Sequence, residues 1–228
     1  MRFDYQTIEE IQNFVSKNKT IIIPFGSVEA HGKHLPIATD TIILEHVMAK
    51  LEEMLFMPVL YYTPVNFARE QDLEIYGTIN FDQEIWISFV ENILSSLSKK
   101  KFRKFIFLTW HDTSRFAECI EKIKDKKKYD IQIIRMWQLA VQLCKKNKIY
   151  VPLMERHAAH IETSALLFLK PELVKKDKIV CGKYENGTEP KSLDGSGVYG
   201  DATQAKAEIG KKVLKLVVDE VKRRMCAD

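Results

Sequence analysis

Apolar and polar positions along the chain follow two patterns, and each predicts a different element. Short, nearly continuous apolar runs are typical of buried strands. They stand at 20–25, 58–66, 104–110 and 131–136. Elsewhere apolar positions recur every three or four residues, which predicts amphipathic helices. Helices are predicted at 7–16, 41–55, 82–97, 161–169 and 203–224, and after the third and fourth runs up to about Lys124 and Lys145.

The order of these elements indicates the fold class. Thr7 and Glu10 have capping-box spacing, Asp82 suits an N-cap, and Pro171 cannot extend the helix before it. Strands alternate with helices, which predicts an α/β fold with a mainly parallel sheet and helices on both faces. Because no repeat, linker or low-complexity segment interrupts the pattern, we expect residues 1–228 to form one domain.

Composition and charge indicate which classes of partner the protein is not expected to bind. The chain has 35 Lys and Arg against 31 Asp and Glu, a formal net charge of +4, so we expect no nucleic-acid partner. The Lys-rich runs at 99–104 and 124–128 are expected to be solvated surface. No stretch approaches the about 20 apolar residues of a membrane span, and the N-terminus lacks a signal-peptide core. We therefore expect no membrane partner.

The cysteines and glycines add two further expectations. Cys119, Cys144, Cys181 and Cys226 are widely spaced and form no CxxC motif, which favours a reducing cytoplasm and free, mostly buried thiols. No GxGxxG follows the first predicted strand, which argues against a dinucleotide-binding enzyme.

Ionisable side chains concentrate in three segments that hold five of the six histidines. The segments contain Glu29, His31, His34 and Asp40 after the first strand, His111 and Asp112 after the third, and His157, His160 and Glu162 around the start of the 161–169 helix. The carboxyl ends of parallel strands meet at one sheet edge, so the first two segments should converge. Histidine and carboxylate ligands suit Zn²⁺, Mn²⁺ or Fe²⁺, and a carboxylate between two ions can bridge them.

Each of these residues also has a simpler explanation. Asp40 could be only the N-cap of the helix that follows it, and Glu162 could be a first-turn carboxylate that answers the helix dipole. His31 and His34 could lie on a loop surface, and His111 could be a hydrogen-bonded core histidine. The clustering of the histidines favours a metal site over these separate explanations. The sixth histidine lies in mid-helix and is expected to be structural.

Four stretches resemble the creatininase (creatinine amidohydrolase) family along nearly the whole chain. "PFGSVEAHGKHLPIATD" at 24–40 is similar to the family's "PvGSxEqHGxHLPxxTD". "YGTI" at 76–79, "HAAHIETSALLFLKPELV" at 157–174 and "GSGVYGDATQAKAEIG" at 195–210 resemble "PGTi", "HAGxxETSlmLxlxPelv" and "GvxGdPtxAtaekG". The resemblance implies a three-layer α/β/α fold and a metal-dependent hydrolase of non-peptide or cyclic C–N bonds, often hexameric.

The resemblance also implies roles for the residues in these motifs. Glu29 and His31 would bind two different ions, and Asp40 would bridge them. His111 would bind the same ion as Glu29, and His157 would transfer a proton near the scissile bond. Zn²⁺ is the first expectation for the ions, with Mn²⁺ or Fe²⁺ as alternatives and one or two ions per subunit.

Substrate contacts and assembly are implied in the same way. Trp137 falls where creatininase has a Trp that closes over its substrate, although a core or interface role fits it equally well. His34 and Thr78, which lie in two of the matching motifs, are the other candidate substrate contacts. We expect a small-molecule substrate and a homo-oligomer, with a hexamer as the first candidate.

The chain departs from the family pattern after the third strand. The family reads Asn-Gly-His-Gly-Gly-Asn there, whereas this chain reads Thr-Trp-His-Asp-Thr-Ser at 109–114. Thr113 replaces a Glu that binds the second ion in creatininase, so Glu162, as metal ligand and catalytic group, is the first candidate replacement and Asp112 the second. His160 stands where many members have a Glu. We therefore expect a substrate other than creatinine, and a degenerate member that binds without turnover is the alternative.

Overall fold

The computed structural model describes residues 1–65, 76–125, 128–185, 191–192, 195 and 197–225. Its centre is a parallel sheet in the order β1–β2–β3. The strands are β1 Thr20–Phe25, β2 Lys104–Thr109 and β3 Asp130–Arg135. Ile22 lies opposite Ile106, and Ile106 lies opposite Gln132. The three strands therefore end at the same edge of the sheet.

Helices and short turns surround this sheet. The helices are α1 Ile8–Lys17, α2 Thr39–Met48, α3 Gln83–Lys99, α4 Ser114–Asp125, α5 Met136–Lys146, α6 His160–Leu169 and α7 Ala207–Met225. 3₁₀ turns lie at Phe3–Tyr5, Pro171–Leu173 and Lys176–Lys178, and β4 Tyr184–Glu185 pairs antiparallel with β5 Lys191–Ser192. The predicted capping box at Thr7 and the predicted N-cap at Asp82 are both confirmed.

The alternating side chains of the strands build two cores, one on each face of the sheet. Ile22 and Ile106 pack in a cluster with buried residues of α2, α5, α6 and α7. Ile21 and Phe105 belong to a second cluster with residues of α3 and α4, against which α1 also packs. Successive strand residues point to opposite faces, so both faces are apolar and both are covered. The predicted α/β fold with a parallel sheet between helical layers is confirmed.

The helix α6 lies inside its layer rather than on the surface. Every residue from His160 to Leu166 is buried. A β-carbon at Gly210 of α7 would lie 2.0 Å from the carbonyl oxygen of Ser164, so only glycine allows this close approach. The packing of α7 on α6 holds the first turn of α6 in a fixed position. That turn carries Glu162.

The predicted helix at 41–55 has different boundaries in the structure. It begins at Thr39 and ends at Met48. Leu51 and Leu55 are buried as the periodicity requires, but they lie in the turn that follows. The helix stops because the chain must reach β1, where the Ile22 amide donates to the Leu55 carbonyl oxygen at 3.0 Å. The apolar spacing therefore predicts the buried positions correctly but predicts the wrong backbone conformation for them.

Within the predicted strand at 58–66 the described residues form one isolated bridge, at Leu60, and a second bridge lies just before it, at Phe56; residue 66 lies outside the described residues. Phe56 pairs with Ile22 and Leu60 pairs with Phe25, both in parallel. The segment has one more residue than β1 between these bridges, as in a bulge. Pro24 in β1 and Pro58 in the segment lack the N–H that a continuous ladder needs.

The last predicted helix starts later than expected, at Ala207 instead of 203. The side chain of Asp201 accepts hydrogen bonds from the Thr203 amide at 2.8 Å and from its hydroxyl at 2.6 Å, which forms a turn. Among the described cysteines Cys119 and Cys144 are buried and Cys181 is exposed. Cys226 lies outside the described residues. None of the described helices combines the length and the apolar character that crossing a membrane requires.

Candidate metal centre

The loop at 26–38 joins the carboxyl end of β1 to the start of α2. Gly32 has a φ of +72°, the left-handed conformation that favours glycine, and a β-carbon there would lie 2.6 Å from Val198. This turn directs His31 and His34 inward, and both are 0% exposed. The explanation of these two histidines as loop surface is therefore wrong.

Three side chains converge at the first position, from the loop after β1, from α2 and from the loop after β2. Nδ1 of His111 lies 2.7 Å from Oε1 of Glu29 and 3.2 Å from Oδ2 of Asp40. Nε2 of His111 donates its hydrogen to the carbonyl oxygen of Pro64 at 3.2 Å, which leaves a lone pair on Nδ1. A lone pair that faces two carboxylates requires a cation, either a proton or a metal ion. Glu29, Asp40 and His111 therefore form a candidate ligand set, which we call the first trio.

A second set lies on the other side of Asp40. Nε2 of His31 is 3.2 Å from Oδ1 of Asp40 and 4.0 Å from Oε2 of Glu162. Nδ1 of His31 donates to the backbone oxygen of Glu29 at 3.1 Å, so Nε2 carries the lone pair. We call His31, Asp40 and Glu162 the second trio. In both trios the far nitrogen of the histidine is fixed by a carbonyl, as is usual for metal-binding histidines.

Asp40 belongs to both trios through different oxygens. Oδ1 faces His31 and Oδ2 faces His111, and Ser27 donates its hydroxyl to Oδ2 at 2.8 Å. The N-cap of α2 is Ala38, and Asp40 lies inside the first turn. The explanation of Asp40 as only an N-cap is therefore wrong, and its side chain is free to connect two ions.

Glu162 points at the centre and is held at both oxygens. Oε1 accepts the indole N–H of Trp110 at 3.0 Å, and Oε2 accepts the Ala158 amide at 2.6 Å. Asp112, the other candidate replacement, pairs with Arg135, whose Nε donates to Oδ1 at 2.6 Å. Asp112 is therefore engaged away from the two trios, whereas Glu162 joins one of them.

Burial and the neighbouring carboxylates have opposite effects on the pKa values of the two histidines in the trios. Burial alone would lower the pKa of His31, but Asp40, Glu162 and Glu29 outweigh it and raise that pKa to about 10. The pKa of His111 is likewise raised, since Glu29 and Asp40 outweigh burial. Burial and then the neighbouring Asp40 raise the pKa of Glu162 to about 7, against the lowering effect of His31. His31 and His111 thus each hold a proton at a position where a cation is favoured.

The donor set fits divalent ions. Glu29, Asp40 and Glu162 are at most 5% exposed, and within the described ranges histidines, not Lys or Arg, are their ion-pair partners. Burying three carboxylates without compensating charge is costly, and two dications bound between them would supply that charge. Imidazole and carboxylate ligands match Zn²⁺, Mn²⁺ and Fe²⁺.

His157 lies over the second trio. Its ring centroid is 4.2 Å from that of His31, and its Nε2 donates to the carbonyl oxygen of Ala30 at 2.8 Å. Its backbone is fixed by two reciprocal hydrogen bonds with the backbone of Tyr199. Burial and then the charge of His31 lower its pKa, so His157 is neutral near pH 7 and offers Nδ1 as a base.

The candidate substrate contacts lie in different environments. Nε2 of His34 bonds Oγ1 of Thr163 at 2.9 Å, and its Nδ1 is buried with no hydrogen-bond partner within the described ranges. The Thr78 hydroxyl accepts the Ala30 amide at 2.9 Å and is partly exposed. Trp137 packs against the cluster that includes residues of α2, α5, α6 and α7, and its buried Nε1 has no partner in the described part of the chain. His160 is buried, and no described residue hydrogen-bonds either of its ring nitrogens.

Two contributors to the centre were missed at the level of the sequence. Ser27 donates to Asp40 and also approaches Oε1 of Glu29 at 3.3 Å, and its position in the first motif could have suggested this. Trp110 stands 52 residues from Glu162, its hydrogen-bond partner. No spacing rule connects residues so far apart in sequence.

The fold and these side chains define an α/β protein with a buried candidate two-ion centre at the carboxyl edge of its sheet. The family model of creatininase, described as creatinine amidohydrolase, matches residues 4–225. The chain belongs to the creatininase family.

Relatives of known description match most of the chain. The mycofactocin precursor peptide peptidase of Mycolicibacterium smegmatis is 27% identical over 221 residues, which cover 89% of this chain and 84% of that protein. The 3-dehydro-scyllo-inosose hydrolase of Thermotoga maritima is 28% identical over 84% of this chain, which spans only 61% of that protein. The creatinine amidohydrolase of Pseudomonas putida is 22% identical over 88% of this chain and 86% of its own length.

Solved structures share the fold. A structure described as "Creatininase Mn" superposes with a TM-score of 0.83 at 20% identity, over 98% of this chain and 96% of that one. A mutant creatininase described as Zn–Zn type gives a TM-score of 0.80 at 19% identity, over the same shares of the two chains. At these identities the likeness establishes the three-layer architecture.

Proposed function

We propose that this protein is a metal-dependent amidohydrolase that cleaves an amide, lactam or formamide-like C–N bond of a small molecule other than creatinine. The observation that carries the proposal is Asp40, whose two oxygens face two separate sets of ligands. Glu29 and His111 would hold one ion with Asp40, and His31 and Glu162 would hold the other. Zn²⁺ is the first choice because both sets combine imidazole with carboxylate, and the creatininase structures described with Mn and Zn support divalent metals generally.

Different residues of the chain would have different roles in this reaction. Two bound divalent ions would polarise the scissile carbonyl and lower the pKa of a water molecule. His157 is neutral, its Nε2–H is held by Ala30, and its Nδ1 can accept a proton and pass it to the leaving nitrogen. Thr78 can donate its hydroxyl hydrogen to a substrate, because its oxygen already accepts from Ala30. His34 and Trp137 could contact a substrate through the ring nitrogens that no described residue hydrogen-bonds.

A peptide amide is the second candidate substrate. The peptidase of M. smegmatis matches 89% of this chain, a longer match than that with the inosose hydrolase. The test is hydrolysis by metal-loaded protein of a panel of cyclic amides, formamides and short peptides. Turnover of cyclic amides or formamides supports the first proposal, and turnover of peptides alone supports the second. A metal-replete protein that cleaves none of them would favour a degenerate member that binds without turnover.

We also propose a homo-oligomer, with a hexamer as the first candidate, and a cytoplasmic location. The family resemblance motivates the assembly. Light scattering at several concentrations tests it, and a mass that stays at the 26.5 kDa of one chain would contradict it.

Glu162→Gln should remove about one ion per chain and reduce turnover. The amide keeps the side-chain volume but removes one of the two anionic ligands of the second trio, while the first trio stays complete. Asp112→Asn is the matched control, since its side chain is also only 5% exposed but pairs with Arg135. Elemental analysis of the two purified variants gives the result. Full metal content in Glu162→Gln would mean that Glu162 is structural.

Metal-free protein should lose thermal stability between pH 7 and 10 more steeply than metal-loaded protein. The folded-state pKa of His31 is about 10, above the 6.5 of the unfolded chain. Its contribution is therefore complete below pH 6.5 and is lost as the pH rises through 10. A bound metal replaces that proton and removes this dependence. The buried thiols Cys119 and Cys144, with pKa values raised by burial to about 11, affect both forms alike.

The measurement is the difference in Tm between the two forms across this pH range. It should widen as the pH rises. A difference that stays constant from pH 7 to 10 would contradict the assignment of His31 as a proton-or-metal site.

A further inference from the structure

Trp110 is the last residue before His111, and its side chain does more than fill the core. It is 1% exposed and packs in the cluster on the α6 side of the sheet. Its indole N–H donates to Oε1 of Glu162, a fully buried acceptor on α6. This bond joins the residue that follows β2 to the first turn of α6. His111 of the first trio comes directly after Trp110, and Glu162 of the second trio lies in that turn.

The hydrogen bonds of Glu162 fix the direction of its carboxylate. Trp110 holds Oε1, and the Ala158 amide holds Oε2 on the side of His31. Ala158 adopts a φ of +52°, a left-handed conformation that is strained for a non-glycine residue. Residues kept in such conformations are often ones whose backbone has a specific task. Two donors, one of them on a strained backbone, therefore hold a single rotamer of Glu162.

The loop after β2 cannot supply this ligand from its own side chains. The Thr113 hydroxyl donates to the Pro64 carbonyl oxygen at 3.3 Å and accepts the Phe116 amide at 3.2 Å. Asp112 is drawn away by Arg135. The loop therefore acts on the second trio through the indole of Trp110.

We propose that Trp110 is a positioning residue for the second ion: its N–H orients Glu162 toward His31 and Asp40 and so sets the affinity of the second trio. This inference rests on the proposed two-ion centre. A purely structural role would affect the fold as a whole, whereas this role affects the binding of one ion through one N–H group. Loss of a hydrogen-bond partner behind a metal ligand typically weakens metal binding by about 10–100-fold.

The test compares Trp110→Phe with Trp86→Phe. Both tryptophans are at most 1% exposed, but Nε1 of Trp86 has no hydrogen-bond partner among the residues that the structure describes. Metal-stripped proteins are titrated with Zn²⁺, and the affinity of each binding step is measured. Trp110→Phe should weaken the second step by about 10–100-fold and leave the first step unchanged, whereas Trp86→Phe should change neither.

A double mutant tests whether Trp110 acts through Glu162. In a Glu162→Gln background the Trp110→Phe substitution should have no further effect on Zn²⁺ binding, because the anionic ligand that Trp110 orients has already been removed. Equal second-step affinities in Trp110→Phe and the parent would overturn the inference while leaving the two-ion centre intact. A parent protein that binds no divalent ion would instead overturn the proposed function.

A measurement on the parent protein covers the case in which Trp110→Phe does not fold. The indole signals of ¹⁵N-labelled Trp are assigned with Trp86→Phe and Trp137→Phe. The Trp110 signal should shift on addition of the second equivalent of Zn²⁺, and the Trp86 signal should not. A Trp110 signal that does not shift when the second equivalent of Zn²⁺ is added would contradict the proposal.

Discussion

Asp40→Asn should reduce the metal content from about two ions per chain to less than about one and abolish turnover. Asparagine keeps the volume of the side chain but offers one neutral oxygen in place of two anionic ones. In the structure each oxygen serves a different trio, so one substitution weakens both ion positions. Two dications close together repel each other, and the shared negative charge of Asp40 offsets that repulsion. Elemental analysis and activity measurements on the same preparations give both readouts.

His34→Ala and Asp112→Asn are the controls for this experiment. His34 is 0% exposed but bonds Thr163, and Asp112 bonds Arg135, so neither belongs to a trio. Both substitutions can lower stability, but neither should lower the metal content as far as Asp40→Asn does. If Asp40→Asn keeps the metal stoichiometry of the parent, Asp40 is not the bridge and the two-ion proposal fails.

The elements that the sequence predicted best are those in which burial and backbone conformation go together. The runs at 20–25 and 104–110 are continuous and apolar because parallel strands between two helical layers are buried on both faces. The prediction failed where a turn keeps helical spacing: Leu51 and Leu55 are buried on the periodicity of α2 but lie beyond its end at Met48. A periodic pattern records which residues are buried and not where the hydrogen bonds stop.

The candidate site could be located from the sequence but not completed from it. Glu29, His31 and His111 were recognisable because they follow strands whose ends must meet. The choice between Asp112 and Glu162 depended on Arg135, which draws one carboxylate away, and on Trp110, which holds the other in place. Those contacts arise only in the folded chain, since they join residues 23 and 52 positions apart.

His157→Gln should lower turnover by about 10²–10⁴-fold while leaving the metal content unchanged. Glutamine can still donate to the Ala30 carbonyl oxygen, as Nε2 of His157 does at 2.8 Å, so the loop should keep its position. What it lacks is a nitrogen that can take up and release a proton near neutral pH. The loss should appear mainly in kcat, because the substituted group acts on the proton and not on the ions.

His46→Gln is the matched control, since His46 lies on α2 against Phe168 and outside both trios. It should leave kcat and metal content at the level of the parent. The decisive alternative is that His157 is itself a ligand, because its ring nitrogen also lies within reach of Glu29 and His31. In that case His157→Gln would lose metal and activity together, and added Zn²⁺ would restore part of both. Full metal content with a strongly reduced kcat leaves proton transfer as the role of His157, since a ligand could not be removed without loss of its ion.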